Sequence, residues 1–363
     1  MRATLNWRSM FAAETKAVDN PVPSVSKRET LAGWRHIAEP VQPFLDAVGA
    51  RLAKQVREFD PAIVPYVEYA LTGQGKQLRP ALVALSASAT GKLEDAHVTV
   101  AVIIEMVHLA TLVHDDVMDE AEIRRGRLTL GANWGNEIAV LCGDCLFAQA
   151  LKLAASFPTP DVCRAVAAAT NTVCAGEILQ TQHRRDFQFT QERYFKVLEM
   201  KTAELFALSC ELSAFLSGAP ADSRLALRQF GLAFGTAYQI YDDCVDLFGS
   251  EAVAGKSLGT DLAKGKLTLP VLLVWERADA ADRAWLQELV GRWHIGSMKR
   301  LAELLAKYGA LGSSLASMTR FLEKARHILR SLPASNGRAG LLGLTEYLAL
   351  QTRSLGSGPE NGL

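Results

Sequence analysis

Two stretches of the chain set carboxylates in the same spacing. His114-Asp115-Asp116-Val117-Met118-Asp119 closes a long apolar run, and Tyr241-Asp242-Asp243-Cys244-Val245-Asp246 closes another, 127 positions later. On a helix Asp115 and Asp119 share a face, while Asp116 is turned away by about 100°. Like charges four apart cost a helix a few tenths of a kcal/mol, so such a cluster needs a cation. Carboxylate oxygens suit Mg²⁺, which binds through one or two carboxylates and completes its shell with water and substrate phosphates. The paired clusters predict a diphosphate held through metal between two facing helices.

Basic residues stand near turns and helix ends to complement them: Lys76 and Arg79 in Gly75-Lys76-Gln77-Leu78-Arg79-Pro80, Arg124-Arg125-Gly126, Lys201 beside Thr202, and Lys256 and Lys266, each after a glycine. Arginine offers forked hydrogen bonds to phosphate and lysine a point charge, while glycine lets the backbone come close. These are more cations than one diphosphate needs, so two anion sites are expected, one metal-bound and one held by Lys and Arg alone. His114 reads as a satisfied core or helix-end group. His108, two turns before Asp115, reads on its own as a core histidine.

The elements that must carry these residues are helices. In Val41 to Phe59, Phe44, Leu45, Val48, Leu52 and Val56 make one apolar stripe. Similar periodicity runs through 94–120, 136–157, 161–183, 190–217, 222–248, 262–278, 298–308, 314–331 and 337–354, broken by Pro- and Gly-containing turns. Several of these helices are apolar nearly all round, as central helices of one large bundle are. The predicted fold is all-α: a single-domain helical bundle with a central cavity over 36–355, a flexible N-terminal arm over 1–35 and a disordered tail over 356–363.

The 363 residues carry 39 basic and 39 acidic side chains, so no basic excess points to nucleic acid. Six cysteines form no disulfide framework, and Cys142-Gly143-Asp144-Cys145, inside an apolar run, reads as reduced core cysteine. Glu105, His108 and Asp144 interrupt the most apolar stretches, so no transmembrane segment is expected and the protein is placed in the cytoplasm. The N-terminus lacks the apolar region of a signal peptide.

GKQLRP, HLATLVHDDVMDEAEIRRG, GEILQ, KTAEL, YQIYDDCVD and GKSLGTDLAKGKLTLP occur in that order. With them the chain, from about 40 to 350, resembles the trans-isoprenyl diphosphate synthases (polyprenyl synthetases), most of all bacterial medium- and long-chain members. It departs from their pattern at Gln77, usually Arg, and at Gln74, usually Gly. The resemblance implies a Mg²⁺-dependent, head-to-tail condensation of isopentenyl diphosphate with an allylic diphosphate. It also implies about three Mg²⁺ per active site and a homodimer, with a membrane expected to aid product release. By the same resemblance Asp115 and Asp119 hold Mg²⁺ with Asp116 in support, and Asp242 holds a further ion, with Asp243 and Asp246 acting through waters. Arg124, Lys201, Gln239, Lys256 and, more weakly, Lys266 contact the allylic diphosphate; Lys76, Arg79, His108 and Arg125 bind isopentenyl diphosphate; Thr202 lies near the reacting carbons. No side-chain nucleophile is needed, because the departing diphosphate can accept the proton.

The product should grow along the helix that ends in Asp115, whose turns rise about 5.4 Å, close to one isoprene unit. Relatives making short products often carry aromatic rings four and five positions before Asp115, where this chain has Thr111 and Ala110. Small Ala110 with Val107 below it leaves room, and Met106, Ile103 or Phe147 could close the floor. By this resemblance the expectation is a product of about C30–C45, with a C20–C25 geranylgeranyl or farnesylgeranyl product as the alternative. Three rivals are less well matched. A class I terpene cyclase needs only one diphosphate. A metal-dependent phosphohydrolase, prompted by His114-Asp115, leaves the basic groups without a task. A non-catalytic partner subunit would be expected to lose one acidic cluster.

Overall fold

A computed structural model describes residues 33–35, 37–71, 75–249 and 258–355. Lys256, Gln74, the tail and all of the expected arm but 33–35 lie outside them. Residues 33–35 are helical, and Trp34 packs on Tyr347, ring centroids 5.8 Å apart. The helices are α1 Gln42–Gln55, α2 Val64–Leu71, α3 Leu78–Thr90, α4 Asp95–Met118, α5 Leu130–Trp134, α6 Asn136–Ala155, α7 Asp161–Gln182, α8 Gln191–Leu198, α9 Glu204–Leu216 and α10 Ala221–Phe248. They continue as α11 Thr260–Ala263, α12 Leu269–Arg277, α13 Ala280–Gly291, α14 Met298–Lys307, α15 Ala310–Leu329 and α16 Asn336–Gln351. The all-α expectation holds. Among the described residues the only strands are β1 Ile123–Arg124 and β2 Arg127–Leu128, an antiparallel hairpin turned at Arg125 and Gly126. Both turn residues have positive φ (51° and 76°), the conformation a two-residue hairpin needs.

α4 is the central helix, packed by α1, α3, α6 and α9; α10 lies between α9 and α15. A capping box starts α4: the Glu94 side chain accepts from the His97 backbone while the Glu94 N–H donates to His97 Nδ1 at 3.0 Å. Small residues let α10 press on the 199–207 stretch. A Cβ on Gly235 would meet the Ala203 Cα at 2.7 Å, and one on Gly231 the Ala207 Cα at 2.5 Å. The close approach aligns α10 with the segment that carries Lys201 and Thr202.

Three expectations need correction. The 262–278 stretch is not one helix: α11 ends at Ala263, Gly265 takes φ 75°, and α12 begins at Leu269 with Pro270 in its first turn. The 190–217 periodicity is interrupted by a π-helical turn over Glu199–Ala203. α4, α6 and α7 are each long and apolar enough to cross a membrane by length and composition, despite the interrupting Glu105, His108 and Asp144. Here they pack as helices of the bundle.

Candidate active site

The last turn of α4 delivers the first acidic cluster, and each carboxylate meets a different cation. Asp115 faces Lys201 Nζ at 3.6 Å. Asp116 accepts from Arg124 Nε at 2.7 Å. Asp119 accepts from Arg184 Nη2 at 2.9 Å and from Lys266 Nζ at 2.5 Å. Lys201 is itself pinned by Glu177 and, at 3.0 Å, by Gln180 Oε1. It reaches this place because the π turn at 199–203 lies against α7, where a Cβ on Gly176 would meet the Lys201 backbone nitrogen at 2.7 Å.

The same turn aims Thr202 at α10. Thr202 Oγ1 donates to Gln239 Oε1 at 3.0 Å, and Gln239 Nε2 donates to Asp243 Oδ1 at 2.8 Å. The π turn thus joins the two acidic helices: Lys201 addresses Asp115, and Thr202 connects through Gln239 to the second cluster. Burial, then Glu177 and Asp119, push the Asp115 carboxyl above its ordinary range against the pull of Lys201. Burial also raises Asp116 against Arg124. At Asp119 burial acts upward, but Lys266, Lys201 and Arg184 together hold the carboxyl below the usual value.

In the second cluster Asp242 is half-buried, whereas Asp243 and Asp246 are buried. Asp243 accepts the Tyr194 hydroxyl at 2.6 Å, and burial, with Asp261 and Asp242 nearby, pushes it up to about 8. Asp246 accepts from Thr260 Oγ1 at 2.8 Å and from the backbone N–H groups of Thr260 and Asp261 at 3.3 and 3.2 Å, closing the start of α11. Both carboxylates expected to act through waters therefore bond to protein donors, which leaves Asp242 as the more open acid of this cluster.

Residues expected to form the second anion site also come together. Arg79 lies over the Phe206 ring at 4.7 Å, and its Nε is sealed from solvent with no hydrogen-bond partner. Arg79 and Arg125 lie close enough to act on the charge of both Glu105 and His108, and Arg124 on that of His108. Burial, then Arg79, Arg125 and Arg124, hold His108 well below the ordinary imidazole value, so it is neutral at pH 7. Gly75 lets the Arg125 guanidinium in: a Cβ there would meet Nη2 at 2.9 Å. Lys76 Nζ donates to the Tyr347 hydroxyl at 2.8 Å and lies 5.2 Å from that ring's centroid.

Beneath Asp115 and Lys201 opens a cavity of about 350 Å³, lined mainly by Thr111, Val117, Met118, Val140, Phe147, Val173 and Ile178, with Glu177 at its polar end. Of the residues expected to set chain length, Thr111 and Phe147 line the cavity, whereas Ala110, Val107, Met106 and Ile103 are packed in the core. His114 also borders the cavity, but its Nε2 is 3.0 Å from the Val140 carbonyl and its ring fills the space over Gly143, as expected of a helix-packing group.

Metal fits the first cluster by chemistry. Its donors are all carboxylate oxygens, and the burial that raises Asp115, with Glu177 and Asp119 adding to it, is a charge cost that a divalent cation relieves. Among the described residues no group of three or more ligating side chains converges. Sequence reasoning missed Glu105, Arg184, Tyr194 and Tyr347. Glu177 and Gln180 stood inside the GEILQ motif without a role.

A family model described as polyprenyl synthetase matches residues 60–307. The octaprenyl diphosphate synthase of Escherichia coli K12 is 34% identical over 84% of this chain and 94% of its own length. A decaprenyl diphosphate synthase structure from Rhodobacter capsulatus superposes with a TM-score of 0.82 at 32% identity, covering 88% of this chain and 99% of that one. A polyprenyl synthase from Caulobacter crescentus CB15, complexed with calcium and isoprenyl diphosphate, gives 0.82 at 32% identity, covering 91% and 99%.

Proposed function

The chain belongs to the polyprenyl synthetase family, and from that premise we propose how its own residues carry the reaction. It is a prenyltransferase that makes trans-polyprenyl diphosphates of medium to long chain length. The observation that carries the residue-level reading is Asp115 and Lys201 bordering one apolar cavity, with Arg79, Arg125 and His108 gathered near Arg124, the cation that pairs with Asp116.

The allylic diphosphate lies between Asp115, Asp119 and Asp242, its tail in the cavity lined by Thr111, Phe147 and Val173. Mg²⁺, held by Asp115, Asp119 and Asp242, would neutralise the diphosphate and stabilise it as a leaving group. Lys201, Arg124 and Lys266 take up charge on the departing oxygens, and Lys256 is assigned the same task. Arg79, Arg125 and Lys76 hold isopentenyl diphosphate, and neutral His108 offers it a hydrogen bond. The allylic C–O bond breaks, the isopentenyl double bond attacks the allylic carbon, and a proton is lost to an oxygen of the released diphosphate. Thr202 and Gln239 sit where the reacting carbons pass, and the apolar lining keeps water from the carbocation.

We further propose a product of about C30–C45, a range that takes in the octaprenyl, heptaprenyl and nonaprenyl diphosphate synthases the chain resembles. The protein is placed in the cytoplasm as a homodimer, its product passing to a membrane. Exposed Val140, Leu141 and Leu151 on α6 and Ile178 on α7 supply the apolar face that a second copy covers. Incubation with isopentenyl diphosphate, farnesyl diphosphate and Mg²⁺, with the products sized after dephosphorylation, tests the reading. Chains of C30–C45 are expected. Products stopping at C20–C25 would replace the proposed length, and phosphate release without a longer chain would refute prenyl transfer.

A further inference from the structure

The turn that follows α7 has no role in the reaction described so far, yet it reaches the first acidic cluster. The Arg185 N–H donates to the Gly265 carbonyl at 2.7 Å, both residues having positive φ (61° and 75°). Nearby, His183 Nδ1 pairs with Asp186 at 2.7 Å and its ring stacks on Phe189. The 183–186 turn and the 264–266 turn are thus fastened together, and each presents one cation to the same carboxylate: Arg184 to Asp119 Oδ1, Lys266 to Asp119 Oδ2.

This arrangement leaves Arg184 half spent. One Nη2 bond is made to Asp119, while its Nε is sealed from solvent without a hydrogen-bond partner. A buried guanidinium donor with no acceptor costs free energy unless a ligand supplies one. Asp119 in turn has a cation on each oxygen, and bringing a divalent ion onto the same carboxylate sets its charge against both, so the ion favours release of one of them.

We propose that Arg184 is a further allylic-diphosphate-binding residue, held on Asp119 until Mg²⁺ and the diphosphate arrive and then transferred to a phosphate oxygen. The inference rests on the prenyl-transfer reading above. Asp119, relieved of Arg184, would hold Mg²⁺ with less opposing charge, and phosphate would supply acceptors for the guanidinium. The exchange keeps every charge paired and gives the idle Nε a partner. Lys266, on the partner turn, stays beside the same carboxylate.

The test is calorimetric and needs no turnover. The farnesyl diphosphate analogue with sulfur in place of the bridging oxygen is titrated into full-length protein with Mg²⁺, and isopentenyl diphosphate is titrated separately. Arg184→Gln is expected to weaken the analogue about tenfold or more, the size of a lost charge-assisted hydrogen bond, and to leave isopentenyl diphosphate within about twofold. Arg184→Lys, which keeps the charge and loses the fork, is expected to fall between. Analogue affinity unchanged in Arg184→Gln, or both ligands weakened alike, overturns the assignment while the prenyl-transfer reading stands. Failure of the wild-type protein to bind the analogue overturns both.

Discussion

Thr111 and Ala110 are neighbours in sequence and lie about 100° apart around α4. Thr111 lines the cavity, whereas Ala110 is wholly buried. The DDxxD spacing fixed which face of α4 holds the carboxylates, and the cations around them were legible as residue types near turns. Which of two adjacent small residues faces the product was not, because that depends on where α6 and α7 leave space. A ring at Ala110 would have to be forced into a packed core, an overpacking that typically costs about 1–3 kcal/mol. A ring at Thr111 enters open volume. Thr111→Phe is therefore expected to shorten the product by one or more isoprene units with little loss of stability, read by chromatography of the dephosphorylated chains. An unchanged length distribution would remove Thr111 from the product path. Arg184 and Tyr194 were invisible in sequence for a related reason: their partners, Asp119 and Asp243, lie 65 and 49 positions away, and no local periodicity encodes such contacts.

Among the elements, long amphipathic helices were readable and their interruptions were not. The 190–217 stretch keeps an apolar rhythm through the π turn, whose extra residue is stabilised by packing on Gly176 and Gly235 and not by any local signal. The start of α4 is another such case. His97 is buried, its Nδ1 accepting from the Glu94 N–H and its Nε2 lying 3.2 Å from the Ser213 carbonyl and 3.1 Å from Ser217 Oγ. Burial lowers its pKa from the ordinary 6.5, outweighing the hydrogen bonds and Glu94 that favour the charged form. Below that value the unfolded chain binds a proton that the folded chain refuses, so stability rises with pH there. The His97 contribution is fully present above pH 6.5 and shrinks as pH falls toward the lowered folded-state value. The urea midpoint should drop between about pH 7.5 and about pH 5.5, and drop less in His97→Gln. Equal slopes in the two proteins would assign the acid sensitivity to other groups.

For the whole molecule, all-round apolar helices suggested a set of central helices, and α4 obeys: it is enclosed by its neighbours. α6 and α7 do not. Leu141 is 59% exposed and Ile178 58%, with Val140 and Leu151 at 40% each. Val140 and Ile178 also line the cavity, so the shaft beneath Asp115 opens on the apolar face. An open side would admit water to a carbocation and an apolar chain, the outcome the lining has to prevent. Those residues are apolar for a surface the bundle itself does not cover, which is why the sequence read them as core. In the proposed homodimer the second copy covers this face and completes the wall, so assembly and product length are one property. Leu141 lies outside the cavity lining, and a charge there strikes the contact without touching the site. Leu141→Asp is expected to elute with a mass near the 39.4 kDa of one chain instead of twice that, and to release shorter products at low protein concentration. A variant that stays dimeric would place the contact between copies elsewhere. A monomer with unchanged products would show that each bundle closes its own shaft.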